Sequence, residues 1–153
     1  MTMETPFKPE DVLSLWFPDN GHWEDDETHQ AFWIERMQGG MDERIISDYA
    51  DLTLAAARGL LDHWAETPRG RLALLIALDQ FPRSLWRDTP AAYGQDIKAC
   101  RLALDGIETG DFDQLAPWEQ GFFVIAITHC EGPDHLQRME MLAAIVEGIV
   151  SRP

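Results

Sequence analysis

The sequence predicts an all-α fold of stacked antiparallel helix hairpins, and three observations carry that expectation. Prolines recur where helices begin, because the ring's missing N–H costs nothing at a first helical position; Pro9, Pro68, Pro90 and Pro117 each lead into an apolar-periodic segment. Apolar residues then return at steps of three and four, the period of one helix face. No stretch shows the strict alternation of a half-buried strand.

In chain order, the first helix is expected over 9–17, where Glu10 and Asp11 follow Pro9 at the positive end of the helix dipole. A second is expected over 25–38. The third, 41–58, follows Gly39-Gly40 and sets Met41, Ile45, Tyr49, Leu52, Ala56 and Leu60 on one face. Thr67-Pro68 opens a fourth at 68–81 with a hydroxyl cap followed by proline. Pro82 ends it, since it cannot donate to the Leu78 carbonyl and biases Phe81 away from helical dihedrals.

Thr89-Pro90 opens a fifth helix, 90–109, with Ile97, Cys100, Leu104 and Ile107 along one face. The sixth, 117–130, carries Trp118, Phe122, Ile125 and His129, and Gly132-Pro133 separates it from the last, 133–150. Short connections favour antiparallel neighbours. No residue-level repeat period and no low-complexity linker appear, so residues 1–153 read as a single helical domain. In the last helix, residues from Met139 to Val150 place apolar side chains around nearly the whole circumference. Such a helix expects cover on every side, and a homo-oligomer formed through it is the expected arrangement.

The chain of 153 residues has 12 Lys+Arg against 27 Asp+Glu, a formal net charge of −15. That sign excludes nucleic acid, whose phosphates are bound by neutralising them with Lys and Arg. It also excludes docking on anionic lipid, and no apolar run approaches the roughly 20 residues that span a bilayer. Neither a signal peptide nor a disulfide framework is indicated, Cys100 and Cys130 being too few, and a cytoplasmic protein is expected. The charge is uneven: net −11 over residues 1–67, −6 over 91–153, and +2 over 68–90. Arg69, Arg71, Arg83 and Arg87 in that basic stretch either neutralise neighbouring acidic helices or form a pocket for an anionic group.

Asp79 is the most informative single position. The row Leu72, Leu75, Ile76, Asp79 places it on an apolar face, near a helix C-terminus whose dipole disfavours negative charge. An inward carboxylate there needs a cationic partner, and Arg83 and Arg87 are nearest. It is either a structural ion pair or a catalytic or ligand-orienting group. His129 extends its own apolar stripe to a helix end beside Glu131, and is either a core histidine with a carbonyl partner or a group that titrates near neutrality in a site. Trp86, between Arg83 and Arg87, is placed to stack on a guanidinium. Metal is not expected: His129, Cys130, Glu131, Asp134 and His135 lie close in sequence, but without a ligand spacing typical of zinc sites.

Leu15-Trp16-Phe17, Thr67-Pro68-Arg69-Gly70-Arg71-Leu72-Ala73-Leu74, Leu78-Asp79-Gln80-Phe81-Pro82-Arg83, Thr89-Pro90-Ala91-Ala92-Tyr93, Asp96, His129-Cys130-Glu131 and Gln137 together carry a resemblance. The set resembles the bacterial domain-of-unknown-function family 924, over most of the chain. The resemblance implies an all-helical, tetratricopeptide-repeat-like fold and no established activity, substrate or cofactor. It also implies Glu-His-Ser-Glu where this chain has Thr128-His129-Cys130-Glu131, and a further C-terminal Gly-Arg-Phe-Pro-His-Arg-Asn segment that this sequence does not contain.

Two functions follow as expectations. One is a helical-repeat binding or interaction module, with a protein or small molecule as partner and no cofactor. The other is a small-molecule enzyme using Asp79 and His129 as an acid–base pair, with Glu131 a further catalytic candidate. Arg83, Arg87, Gln80 and Trp86 would then bind and orient an anionic substrate.

Overall fold

Proline stands in the first turn of five elements in the computed structural model of the chain, which describes residues 6–17, 31, 34, 41–129 and 135–150. The helices are α1 (Pro9–Trp16), α2 (Asp42–Asp48), α3 (Ala50–Ala57), α4 (Pro68–Asp79), α5 (Phe81–Leu85), α6 (Asp96–Thr109), α7 (Pro117–Thr128) and α8 (His135–Val150). Single 3-10 turns lie at Asp62–Glu66, Pro90–Tyr93 and Phe112–Gln114. Among the described residues there is no strand, and the fold is all-α. Of the expected helix 25–38, only residues 31 and 34 are described, and both are helical. No described helix is long and apolar enough to cross a membrane.

The caps show why several helices start where they do. The Thr67 hydroxyl oxygen accepts from the Gly70 N–H at 3.0 Å at the head of α4. At α1 and α7 the third-residue carboxylate reaches back instead. Asp11 accepts from the Lys8 N–H and Glu119 from the Ala116 N–H, each at 2.8 Å. Thr89 departs from expectation. Its hydroxyl donates to the Trp86 carbonyl at 2.7 Å rather than capping, so Pro90–Tyr93 forms only a 3-10 turn and α6 begins at Asp96.

Two expected helices are broken. The segment 41–58 divides at Tyr49, whose backbone leaves helical geometry at φ −122°, ψ 8°. Its ring packs edge-on against Phe81 at 5.6 Å and its hydroxyl donates to the Asp11 carbonyl at 3.3 Å, tying the break to α5 and α1. The segment 68–81 ends at Asp79, and Phe81 starts α5 instead of leaving helical geometry. Pro82 explains this, because it sits in the first turn of α5, where its missing donor has no intrahelical acceptor to lose.

Helix α4 is the centre of the molecule. Every residue from Gly70 to Asp79 is buried, and α1, α3, α5, α6, α7 and the Asp62–Glu66 turn all pack on it. Even Arg71 lies inside, with Nε donating to Asp111 at 2.8 Å and its terminal nitrogens to the carbonyls of Leu102 and Ala65 at 3.0 and 3.2 Å. The helix enclosed on all sides is therefore α4. Helix α8 buries Leu142, half-buries Met139, Met141 and Ile145, and exposes Ala143, Ala144 and Val146.

Helix α6 also corrects its expected face. Ile97 is 77% exposed, and the buried row is Ala99, Cys100, Ala103 and Gly106. Small side chains let α6 approach α4 and α7 closely. A Cβ on Gly106 would stand 2.6 Å from Arg71 Cδ and 2.7 Å from Phe123 Cε2. Gly106→Ala should consequently destabilise by about 1–3 kcal/mol, the usual cost of overpacking. Gly121, within α7 and with nothing within 4 Å of a built Cβ, should do the opposite. Gly121→Ala is expected to stabilise by up to about 1 kcal/mol through helix propensity. Paired urea unfolding curves check both signs.

Candidate functional site

The inward stripe of α4 ends on Asp79, which is 1% exposed. Its two oxygens have separate partners. Oδ1 lies 2.8 Å from His129 Nδ1, and Oδ2 accepts from the Gln80 side-chain amide at 2.8 Å. His129 caps the C-terminus of α7, fifty residues further along the chain, and its side chain keeps 27% exposure. An ionised carboxylate only accepts, so Nδ1–H donates and Nε2 is left as the basic nitrogen of the ring.

Arg83, one turn beyond Asp79, completes the cluster. Nη1 donates to the Asp79 carbonyl at 2.7 Å and lies 3.7 Å from Oδ1. The Nη1 and Nη2 edge also grips Asp96 at the head of α6 with a forked pair of bonds at 2.8 and 3.0 Å. Its guanidinium stacks over Tyr93, 5.1 Å from the ring centre. Burial opposes the charge on Arg83, but the bond to Asp96 and the proximity of Asp79 outweigh it and raise its pKa. Asp79, Asp96 and His129 offer ligand atoms within 4.8 Å of one another, a donor set that suits a divalent cation. Arg83 already supplies a positive charge to both carboxylates there.

Beside this cluster opens a cleft of about 140 Å³, lined by Trp16, Gln80, Arg83, Ser84, Arg87, Asp88, Ala92 and Tyr93. Arg87 holds Asp42 of α2 through its Nε and Nη2 edge, at 2.6 and 2.8 Å. Asp88 has φ +66°, a left-handed conformation that few residues other than glycine adopt, though Asp is among the more tolerant.

Of the residues singled out from sequence, Asp79, His129, Gln80 and Arg83 form one bonded cluster. Arg87 joins Gln80 and Arg83 in the cleft. Trp86 does not line the cleft, and the guanidinium stacking falls instead to Tyr93. Glu131 and Cys130 lie outside the described residues. All four arginines of the basic stretch meet acids on other elements: Arg69 bonds Glu10 and Glu119, and Arg71 bonds Asp111, alongside the Arg83 and Arg87 pairs. Sequence reasoning missed Asp42, Ser84 and Asp88 in the site. Asp96 and Tyr93 stand out in the sequence only through the resemblance.

Residues 12–151 match the sequence profile of a bacterial protein of unknown function, family 924. The chain belongs to that family. Among solved structures, this family-924 chain is similar to the protein of unknown function ATU0120 from Agrobacterium tumefaciens. The two are 27% identical with a TM-score of 0.64, over 95% of this chain and 90% of that one. No curated protein matches the sequence.

The Arg87–Asp42 pair has a consequence for stability against acid. The hydrogen bond from Arg87 lowers the Asp42 pKa below its ordinary 3.8, against burial and with help from the Ser84 hydroxyl. A carboxyl whose folded pKa is depressed stabilises the fold above its unfolded pKa and loses that contribution as pH falls through the folded one. Wild type should therefore exceed Asp42→Asn in stability at neutral pH, and the gap should close below about pH 4. Thermal unfolding of both proteins from pH 7 to pH 2.5 measures it.

Proposed function

We propose that this family-924 chain is a small-molecule enzyme in which His129 exchanges a proton with a small substrate whose anionic group is oriented by Arg83 and Arg87. The observation that carries the reading is the 2.8 Å contact between His129 Nδ1 and the buried Asp79 carboxylate. Imidazole is the side chain suited to taking and giving a proton near neutral pH, and a carboxylate on one nitrogen fixes which nitrogen is free to do so. The arrangement divides the roles expected of an acid–base pair. Asp79, too enclosed to touch substrate, is a positioning residue, and the partly exposed His129 is the catalytic one. Asp79 and His129 lie behind the cleft wall and do not line it; Gln80 and Arg83 line it, and each hydrogen-bonds Asp79, which joins the pair to the cleft.

The test is turnover of a pool of small carboxylates and phosphates, read by mass spectrometry, for wild type, His129→Gln and Asp79→Asn. Loss of a general acid–base should lower kcat by roughly 10²–10⁴-fold with little change in KM for His129→Gln. Asp79→Asn should lower kcat too, and its pH–rate profile should shift because the amide no longer fixes the same tautomer. Undiminished turnover in His129→Gln, or no conversion by wild type, overturns the reading.

A second reading, an interaction module with a second copy of this chain as partner, is favoured by Ala143, Ala144 and Val146 standing exposed on α8. Sedimentation should then show a dimer that Val146→Asp dissociates. A monomeric wild type removes this reading.

A further inference from the structure

We propose that the cleft selects a compact zwitterion, a ligand of α-amino-acid size carrying one carboxylate and one ammonium group; this rests on the reading of the cleft as the substrate site. A guanidinium has five N–H donors arranged in edges. Arg83 spends its Nη1 and Nη2 edge on Asp96 and a further Nη1 bond on the Asp79 carbonyl, which leaves Nε and one Nη2 hydrogen without an acceptor among the described residues. Arg87 spends only its Nε and Nη2 edge on Asp42 and leaves the Nη1 side. Each arginine that lines the cleft thus retains donors after satisfying its own carboxylate, and each is held in place by that carboxylate. Held guanidinium edges of this kind match the planar oxygens of a ligand carboxylate.

Charge limits what that ligand is. The two cleft arginines are already opposed by Asp42, Asp79 and Asp96, and Asp88 adds a fourth carboxylate on the wall itself. A polyanion entering such surroundings meets more negative than positive charge. A ligand whose single carboxylate is balanced by its own cation does not. Asp88 provides the complement. Its carboxylate makes no hydrogen bond among the described residues, it lies close enough to Arg87 to raise that residue's pKa, and a left-handed backbone places it. Departures of this kind concentrate where a side chain must be aimed.

Size agrees. A cavity of about 150 Å³ holds benzene, with its six carbons. The cleft, at about 140 Å³, is matched to alanine, which has as many non-hydrogen atoms.

The experiment titrates the ¹⁵N-labelled protein with L-alanine, L-lactate and L-alaninamide, three probes of one size that carry both charges, the carboxylate alone and the ammonium alone. Wild type should bind alanine at least about tenfold more tightly than either other probe, as expected when a charged hydrogen bond is lost. Arg87→Ala should weaken alanine binding by a similar factor. Asp88→Asn, a change the left-handed region tolerates, should abolish the preference, bringing alanine and lactate to one level with lactate no weaker than in wild type. Lactate binding as tightly as alanine in wild type, an undiminished preference in Asp88→Asn, or no chemical-shift change with any probe overturns the proposal. Binding is read here without turnover, so an unreactive but selective cleft would count against the proton-transfer role of His129 and not against this inference.

Discussion

A negative charge enclosed at the wrong end of a helix is the constraint on which this end of the molecule depends. Asp79 terminates α4, where the helix dipole opposes a carboxylate and solvent is absent. The surroundings are arranged to meet it. Gln80 and His129 each take one oxygen, and Arg83 brings positive charge from the next turn. Arg83 in turn is fixed by Asp96, so a single charge ties together the ends of α4 and α7, the short α5 and the start of α6. Buried charge networks of this type are often no more stabilising than apolar packing of the same volume. Stability is therefore a weak account of why so many polar groups converge here, and the proton exchange proposed for His129 offers another.

Much of this was legible in the residues. Threonine–proline at 67–68 announced α4, and the apolar row leading to Asp79 announced an inward carboxylate. The row leading to His129 did the same for the imidazole, because a polar group on a buried face must find a partner. The all-helical class followed from the spacing. The tetratricopeptide-like stacking implied by resemblance is a finer statement than the helices themselves make.

The misses have physical causes. Helix α4 did not read as the enclosed centre because Arg69 and Arg71 lend it charge, yet Arg71 is buried with its donors met by groups far along the chain. On helix α6 the large side chains mark one face, whereas close approach favours the face with alanines and Gly106. Tyr49 carries no sign of a helix break in its own sequence, since the contacts made there reach Phe81 and Asp11. Asp42 reaches the cleft only through a pairing across 45 positions, which no local pattern records.

The shared use of Arg83 has a consequence for how such a chain diverges. Asp79, Arg83, Asp96 and His129 do not form separable pairs, because Asp79 serves both His129 and Arg83, and Arg83 serves both Asp79 and Asp96. Losing any one leaves a charge or donor stranded in a largely enclosed place, and the replacement that would relieve it lies on another helix. Sequence drift at these four positions must then pass through poorly tolerated single-step intermediates, while a pair exposed on both sides, such as Arg69 with Glu10, exchanges at little cost. Substitutions in the cluster would be inherited as blocks, their order of appearance governed by which stranded group water can still reach.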